Sequence, residues 1–338
     1  MSNDKRQTKL LVIGLGGTIA SDPEKSTILG PDEVFAKLGL IIPEDIAITY
    51  LDFMRVGSSH ITPENQIRLA LTIQKEYEKY HAFLILHGTD TMAWTASALA
   101  FMLRGLHKPI VLTGSMIPST MEGSDARANV SDSIRFTHKA IESNISGVYI
   151  VFNHKVILGV RASKISSTDI DAFGSINYPY VGYARGDEVV INKVPRRILD
   201  NDKLKIDDKI EDRIMVLKAF PGMKEYLLDA VDILKLRGVV IEAFGLGGLP
   251  KNITEKLKSL AKDIPVLIIT QPTYGGVDPL GYGSRSSFFK FGLIPACDMS
   301  KEAAVIKFMW ILGKTNEIEE VRRLMMQNYE DEINPCLS

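Results

Sequence analysis

Apolar residues along this chain fall into short runs rich in Val, Ile and Leu, separated by longer stretches in which they recur at helical spacing. Lys9–Gly14, Phe83–His87 and Ile110–Thr113 read as strands, and Thr91 to Arg104 carries apolar residues at helical period between the last two. Pro63–Tyr80 predicts an amphipathic helix, with Ile67, Leu71 and Ile73 set against a solvated face of Lys75, Glu76 and Glu78. Strand–helix alternation of this kind predicts an α/β fold with largely parallel sheets. Val148–Phe152 and Lys155–Gly159 flank Asn153–His154, a pattern that also allows an antiparallel hairpin.

The alternation is interrupted at Asp200–Asp212, where DNDKLKIDDKIED holds charge and little apolar content. A solvated linker there separates an N-terminal domain, residues 1–199, from a smaller C-terminal α/β domain, residues 213–338. The pattern then resumes with strand Arg213–Leu217, helix Met223–Lys235, strand Gly238–Ala243, helix Ile253–Lys262 and strand Val266–Thr270. Two closing helices, Lys301–Leu312 and Glu317–Met326, are predicted to segregate their polar and apolar residues onto opposite faces.

Composition narrows the function classes. Hydrophobic residues make up 45% and charged residues 24% of the chain, the range of soluble globular proteins. A formal net charge of −1 offers no electrostatic reason for a nucleic acid or an acidic membrane as partner. The apolar run Leu10 to Ile13 is too short for a secretion-signal core, and no segment approaches the ~18 apolar residues of a spanning helix. Cys297 and Cys336 lie far apart and form no CxxC, so neither a disulfide framework nor a zinc site is expected. The expectation is a cytoplasmic protein with no metal and no cofactor, since its six histidines are scattered among no ligand-spaced cluster.

Candidate chemistry lies at strand ends. Gly14, Gly16 and Gly17 follow the first strand with Thr18 directly behind, at the place where open α/β sheets bind ligands. The dinucleotide motif fails there, because Ile19 occupies the third glycine position and Ser21, Asp22 and Pro23 break any following helix. His87-Gly88-Thr89-Asp90-Thr91 is a second such turn, whose hydroxyls and carboxylate also suit simple helix capping. A third stretch, Arg161 to Asp169, sets Lys164 among hydroxyl side chains and by itself reads as a polar loop. Together they would supply what hydrolysis of an amide needs, if the fold brings them together: a nucleophile, a proton acceptor and donors aimed at the oxyanion. Thr89, Lys164 and Asp90 supply a hydroxyl, a base and a carboxylate to hold it, with Thr18 on the neighbouring turn and backbone amides at Gly88 and around Ser115 as donors.

GGTIAS at Gly16–Ser21 and HGTDTMAWTASAL at His87–Leu99 resemble the two signature segments of the L-asparaginase family. The resemblance continues through LTGSMIP, LGVRASKISSTDIDAF, SINYP and IPACDMSKEAAVIKFMWILG, so that it spans essentially the whole chain and points to the short cytoplasmic type. It implies two α/β domains, a homodimer or homotetramer with sites completed near a subunit interface, and hydrolysis of L-asparagine to L-aspartate and ammonia. By position, Thr18 is similar to the family's nucleophile, Thr89 to its second catalytic threonine and Lys164 to the activating lysine. Asp90 matches the acid that binds the substrate's α-amino group and positions the lysine, and Ser58 and Ser59 match the α-carboxylate site. Two departures stand out. The lid tyrosine expected about ten residues after Thr18 is replaced by Ser26, Thr27 and Ile28, so Thr27 or Tyr282 is expected to approach Thr18 instead, from or near an exposed lid over residues 21–30. Glu242 stands where some bacterial relatives carry an effector-binding arginine, which argues against allosteric control. An amidase subunit of the archaeal tRNA-dependent amidotransferase and a catalytically inactive amino-acid sensor are the competing readings.

Overall fold

Burial of the run Leu10 to Leu15 on both faces makes the first strand a central one, because a parallel strand covered on both sides has no polar face to present. In the computed structural model, which describes residues 7–195, 203–278 and 291–336, this strand β1 (Thr8–Gly16) lies between β2 (Ile46–Val56) and β3 (Ala82–Leu86), parallel to both. Beyond β3 follow β4 (Pro109–Thr113) and β5 (Gly147–Phe152), also parallel. The antiparallel strands β6 (Lys155–Leu158), β7 (Gly182–Arg185) and β8 (Glu188–Ile191) complete an eight-stranded sheet. The parallel order is thus β2-β1-β3-β4-β5, a doubly wound arrangement whose strand order reverses between β1 and β3. The expected hairpin joins β5 to β6, and Asn153 and His154 both take positive φ, 45° and 63°, as a primed two-residue turn requires.

Among the described residues four α-helices accompany this sheet: α1 (Pro31–Leu38), α2 (Pro63–Glu76), α3 (Met92–Met102) and α4 (Ala126–Glu142). The α3 helix is buried all round except at Trp94, and even Thr95 and Ser97 are closed to solvent. The edge strand β2 has no counterpart in the sequence reading; its alternation is blurred because most of its residues are only partly buried.

The chain divides into two compact units, Met1–Asp207 and Asp208–Ser338. In the second, β9 (Ile214–Lys218), β10 (Gly238–Ala243), β11 (Val266–Thr270) and β12 (Leu293–Pro295) form a four-stranded parallel sheet in that order. Helix α5 (Lys251–Leu260) buries Ile253 and Leu257 in the core with Val239, Ile241, Val266 and Ile268. The fold is therefore two α/β units with mostly parallel sheets, the larger first. Part of the charged stretch between them is tied down: Lys205–Ile206 pairs with Leu103–Arg104 in the first unit, and Glu211 N donates to Met309 O at 3.0 Å within the second.

Three expectations are corrected. The helix over Met223–Lys235 shrinks to a 3-10 segment, Glu225–Leu228, and a single turn, Ala230–Ile233, ended by Lys235 at positive φ. Of the closing helices, α6 (Lys301–Leu312) does not segregate its polar residues, because it runs through the interior with Glu302 and Lys307 buried; α7 (Ile318–Met326) does, burying only Val321 and Met325. The Lys307 ammonium is neutralised where it lies, 2.6 Å from Glu332 Oε1, and donates to the carbonyls of Met325 and Gln327 at 2.8 and 2.6 Å. Lastly, Cys297 and Cys336 form a disulfide across 39 residues. The C-terminal tail returns to Cys297, with Asn334 N and Nδ2 both donating to the Asp298 carboxylate, a proximity that spacing along the chain conceals.

Candidate active site

Two turns at the carboxyl ends of β1 and β3 meet at the reversal of strand order. Gly16 and Gly17 have φ of 93° and 77°, a region open to glycine and costly for other residues, and this turn presents Thr18 at the start of the 3-10 segment Thr18–Ala20. Behind it, Gly17 N donates to Val56 O at 2.8 Å. A Cβ on Gly17 would fall 2.2 Å from the Gly88 Cα, so the two turns touch backbone to backbone and only glycine permits the approach. Gly88 in turn faces Ser58, whose Cβ would lie 2.7 Å from a Cβ placed there. Thr18 is half-buried and Thr89 buried.

The polar groups of the second turn, Thr89–Thr91, make no capping bond to α3. Lys164, the last residue of the short strand Ala162–Lys164, reaches them instead. Its Nζ lies 2.8 Å from Thr89 Oγ1 and 2.7 Å from Asp90 Oδ1, with the lysine side chain largely buried and the carboxylate open to solvent. Ser58 is buried and held twice by the same turn: Asp90 N donates to its Oγ at 3.2 Å, and Thr91 Oγ1 donates to its carbonyl at 2.8 Å. Ser59 beside it is exposed. Ser115 is fully buried and its hydroxyl donates to Ile117 O at 2.6 Å, so its side chain is engaged within the protein.

Three supporting groups escaped the sequence reading. Thr91 is one, as the clamp on Ser58. The second is a carboxylate, Asp125, which accepts from Met116 N and Ile117 N at 3.0 Å and from Asn129 Nδ2 at 2.9 Å; Asn129 Nδ2 also donates to Gly114 O at 3.0 Å. This pair fixes residues 114–117 as a wall beside Thr89, whose Cγ2 lies 3.6 Å from where a Gly114 Cβ would stand. The third is His87, fully buried, with Nδ1 2.6 Å from Gly88 O and Nε2 2.9 Å from Thr95 Oγ1. Burial lowers its pKa to about 4, and the bond to Gly88 opposes that shift only in part. The i,i+4 spacing of Asp125 and Asn129 is the one local signal for that pair, and His87 is marked only as the first residue of the HGTDT segment, with no sign of its supporting role.

The expected lid is a hairpin, Ser21–Asp22 pairing with Thr27–Ile28, that follows the Thr18 turn directly. Arg55 holds its base: Nη1 donates to Ile28 O at 3.0 Å, Nη2 lies 2.7 Å from Asp52 and Nη1 3.4 Å from Glu33. Thr27 is exposed, and Tyr282 lies outside the described residues. Among the described residues no group of His, Cys, Asp and Glu is placed to hold a metal ion, and no helix is long and apolar enough to cross a membrane.

Two family models match the chain: "Asparaginase, N-terminal" over residues 9–197 and "Glutaminase/Asparaginase C-terminal domain" over residues 213–325. An L-asparaginase from Thermococcus kodakarensis is 37% identical over 331 residues, 96% of this chain and 99% of that protein. The solved structure of the thermostable L-asparaginase from the same organism superimposes with a TM-score of 0.91, covering 97% of this chain and 99% of that one. L-asparaginase I from Vibrio cholerae, 28% identical, superimposes with a TM-score of 0.83 over 97% of this chain and 99% of its own. A glutamyl-tRNA(Gln) amidotransferase subunit from Pyrococcus abyssi is 31% identical over 341 residues, 97% of this chain and 77% of that protein.

Proposed function

The chain belongs to the asparaginase family and hydrolyses L-asparagine to L-aspartate and ammonia; we propose that the two threonine turns carry the reaction, with Thr18 as nucleophile, Thr89 and Lys164 as its proton relay and Asp90 as the carboxylate that positions the lysine. The observation behind this reading is the position of Lys164 Nζ between Thr89 Oγ1 and Asp90 Oδ1, reached from 74 and 75 residues away in sequence. Capping requires no such lysine.

In this reading the Thr18 hydroxyl oxygen attacks the side-chain amide carbon of asparagine. Its proton passes to the amide nitrogen, the C–N bond breaks and ammonia leaves, with an aspartyl ester on Thr18. Water then attacks the ester carbon, giving one proton through Thr89 and Lys164 to the departing Thr18 oxygen, and aspartate is released. Backbone amides at the Gly88 turn and around Ser115 meet the oxyanion in both steps. The α-amino group of the substrate faces the exposed Asp90 carboxylate, and its α-carboxylate faces Ser58 and Ser59. The hairpin over residues 21–30 closes over Thr18. No metal or organic cofactor enters these steps.

A homodimer or homotetramer supplies the rest of the site, and the exposed Tyr226, Leu227, Ile233 and Leu234 in the second unit offer apolar surface to such an assembly. Cytoplasmic placement follows the sequence resemblance. The Cys297–Cys336 bridge runs counter to it except in hyperthermophiles, whose intracellular proteins keep disulfides. The identity to the amidotransferase chain favours one further reading, an amidase subunit that works within a larger complex.

Ammonia release from free asparagine by the purified chain alone, beside glutamine, separates these readings. Thr18→Ala, Thr89→Val and Lys164→Met are each expected to lower kcat by roughly 10²–10⁴ with the fold intact. Parental turnover in any one removes that residue from the mechanism; no turnover without added partner chains favours the amidase subunit.

A further inference from the structure

The fully buried His87 sits at the root of the catalytic turn, and each of its hydrogen bonds runs in one direction only. Gly88 O is a carbonyl and can only accept, so the ring nitrogen 2.6 Å from it, Nδ1, carries the proton. The other tautomer would set two lone pairs against each other at that distance. In the neutral ring Nε2 then accepts, and the partner 2.9 Å away is the Thr95 hydroxyl, which donates. Thr95 Oγ1 is left with lone pairs, and Gln66 Nε2, 3.4 Å away, donates to it. Gln66, Thr95 and His87 are all buried, so solvent does not compete with any link. The chain runs from α2 through the first turns of α3 to the peptide between Gly88 and Thr89.

That peptide is trans, as are all others among the described residues, so its N–H points opposite to its C=O. With the Gly88 carbonyl turned inward onto the buried ring, the Thr89 N–H points the opposite way, away from that ring. We propose that His87, locked as the Nδ1-protonated neutral tautomer by Thr95 and Gln66, is a positioning residue that aims the Gly88–Thr89 peptide at the substrate. The inference rests on the reading of the two turns given above. The depressed basicity of the buried ring agrees with a neutral imidazole at physiological pH. The arrangement also accounts for the rigidity a donor needs: the ring is one residue from the peptide it holds, and its far side is bolted to a helix. An oxyanion donor is effective only when its direction is set before charge develops.

Two measurements test this. In protein labelled with ¹⁵N-histidine, the His87 ring, assigned by single substitution of the six histidines, is expected to show a protonated Nδ1 and a bare Nε2 at pH 7. The reverse pattern, or a rapidly exchanging mixture, overturns the proposal without any reference to turnover. In kinetics, Thr95→Val removes the hydroxyl that locks the ring while keeping the volume of the side chain. Its kcat for asparagine is expected to fall about tenfold or more with KM within about twofold. Thr95→Ser restores the hydroxyl and is expected to recover kcat to within about twofold of the parent. A purely structural threonine would make Ser and Val differ in stability and not in kcat; equal kcat in the two variants, measured where both are fully folded, overturns the positioning role. Should Thr95→Val not fold, the tautomer measurement on the parent still decides. If the parent itself releases no ammonia from asparagine, the fault lies with the reading of the reaction, and the tautomer result stands independently.

Discussion

Gly57 and Gly88 both border Ser58, yet the structure assigns them opposite tolerance for a methyl group. A Cβ on Gly88 would lie 2.7 Å from Ser58 Cβ, 2.8 Å from Ser58 Oγ and 2.9 Å from Gly17 Cα. Favourable carbon–carbon contact is ~3.5–4.0 Å, so Gly88→Ala must push one of these neighbours by about 1 Å. Gly88 has φ −78°, which alanine adopts freely, so the effect is steric and not conformational. Every yielding direction belongs to the site: one side carries Ser58, the other the turn that presents Thr18. A misplacement of ~1 Å costs roughly 100-fold in rate, and overpacking of this kind destabilises by about 1–3 kcal/mol. Gly57→Ala is the matched control. Its Cβ would meet nothing nearer than His60 Nδ1 at 3.8 Å, and its φ of −66° and ψ of 141° suit alanine. It should leave turnover unchanged and add up to ~1 kcal/mol of stability by restricting the unfolded chain. Steady-state ammonia release from asparagine and urea unfolding read both quantities. The reasoning is refuted if Gly88→Ala keeps kcat/KM within about threefold of the parent, or if Gly57→Ala is as damaging.

Acid should weaken the fold through His87: its folded pKa of about 4 lies below the ordinary histidine value of 6.5, so the unfolded chain binds the proton first and stability falls as pH drops through that window. The loss approaches about 3 kcal/mol by pH 4, and His87→Gln should flatten it in unfolding curves; equal slopes in parent and variant would show that His87 is not the group responsible. Lys307→Met leaves the Glu332 carboxylate buried without its cation and should cost about 3–5 kcal/mol, partly recovered when Glu332→Gln is added. Urea midpoints measure it, and a single variant as stable as the parent would contradict the buried pair.

Local pattern carried most of the fold. The apolar runs at β1, β3, β4, β10 and β11 mark buried strands because a strand covered on both faces needs apolar residues at every position, a requirement met within five or six neighbours. Where a strand lies half-exposed at an edge, as β2 does, that pattern dissolves. Charge misled at α6, since Lys307 and Glu302 look like a solvated face until the distant Glu332 is brought to the lysine.

The sequence by itself determined where the two glycine turns begin. Glycines that alone tolerate positive φ or close backbone approach stand at Gly16, Gly17 and Gly88, immediately before Thr18 and Thr89. Family resemblance attached roles to those residues and to Lys164. What only the tertiary structure decided is who meets whom. Lys164 closes on Thr89 and Asp90 across more than seventy residues, and Asp90 N and Thr91 Oγ1 reach Ser58 across 32 and 33. Gln66, Thr95 and His87 line up from two helices and a strand end, and Cys336 returns to Cys297. The physical reason is the order of strands in the sheet. It sets β1 beside β3 although β2 lies between them in the chain, and so brings two glycine turns into contact at the point where the order reverses. Partners chosen by sheet order are not encoded in any window of neighbouring residues; they exist only once the long-range pairing has formed.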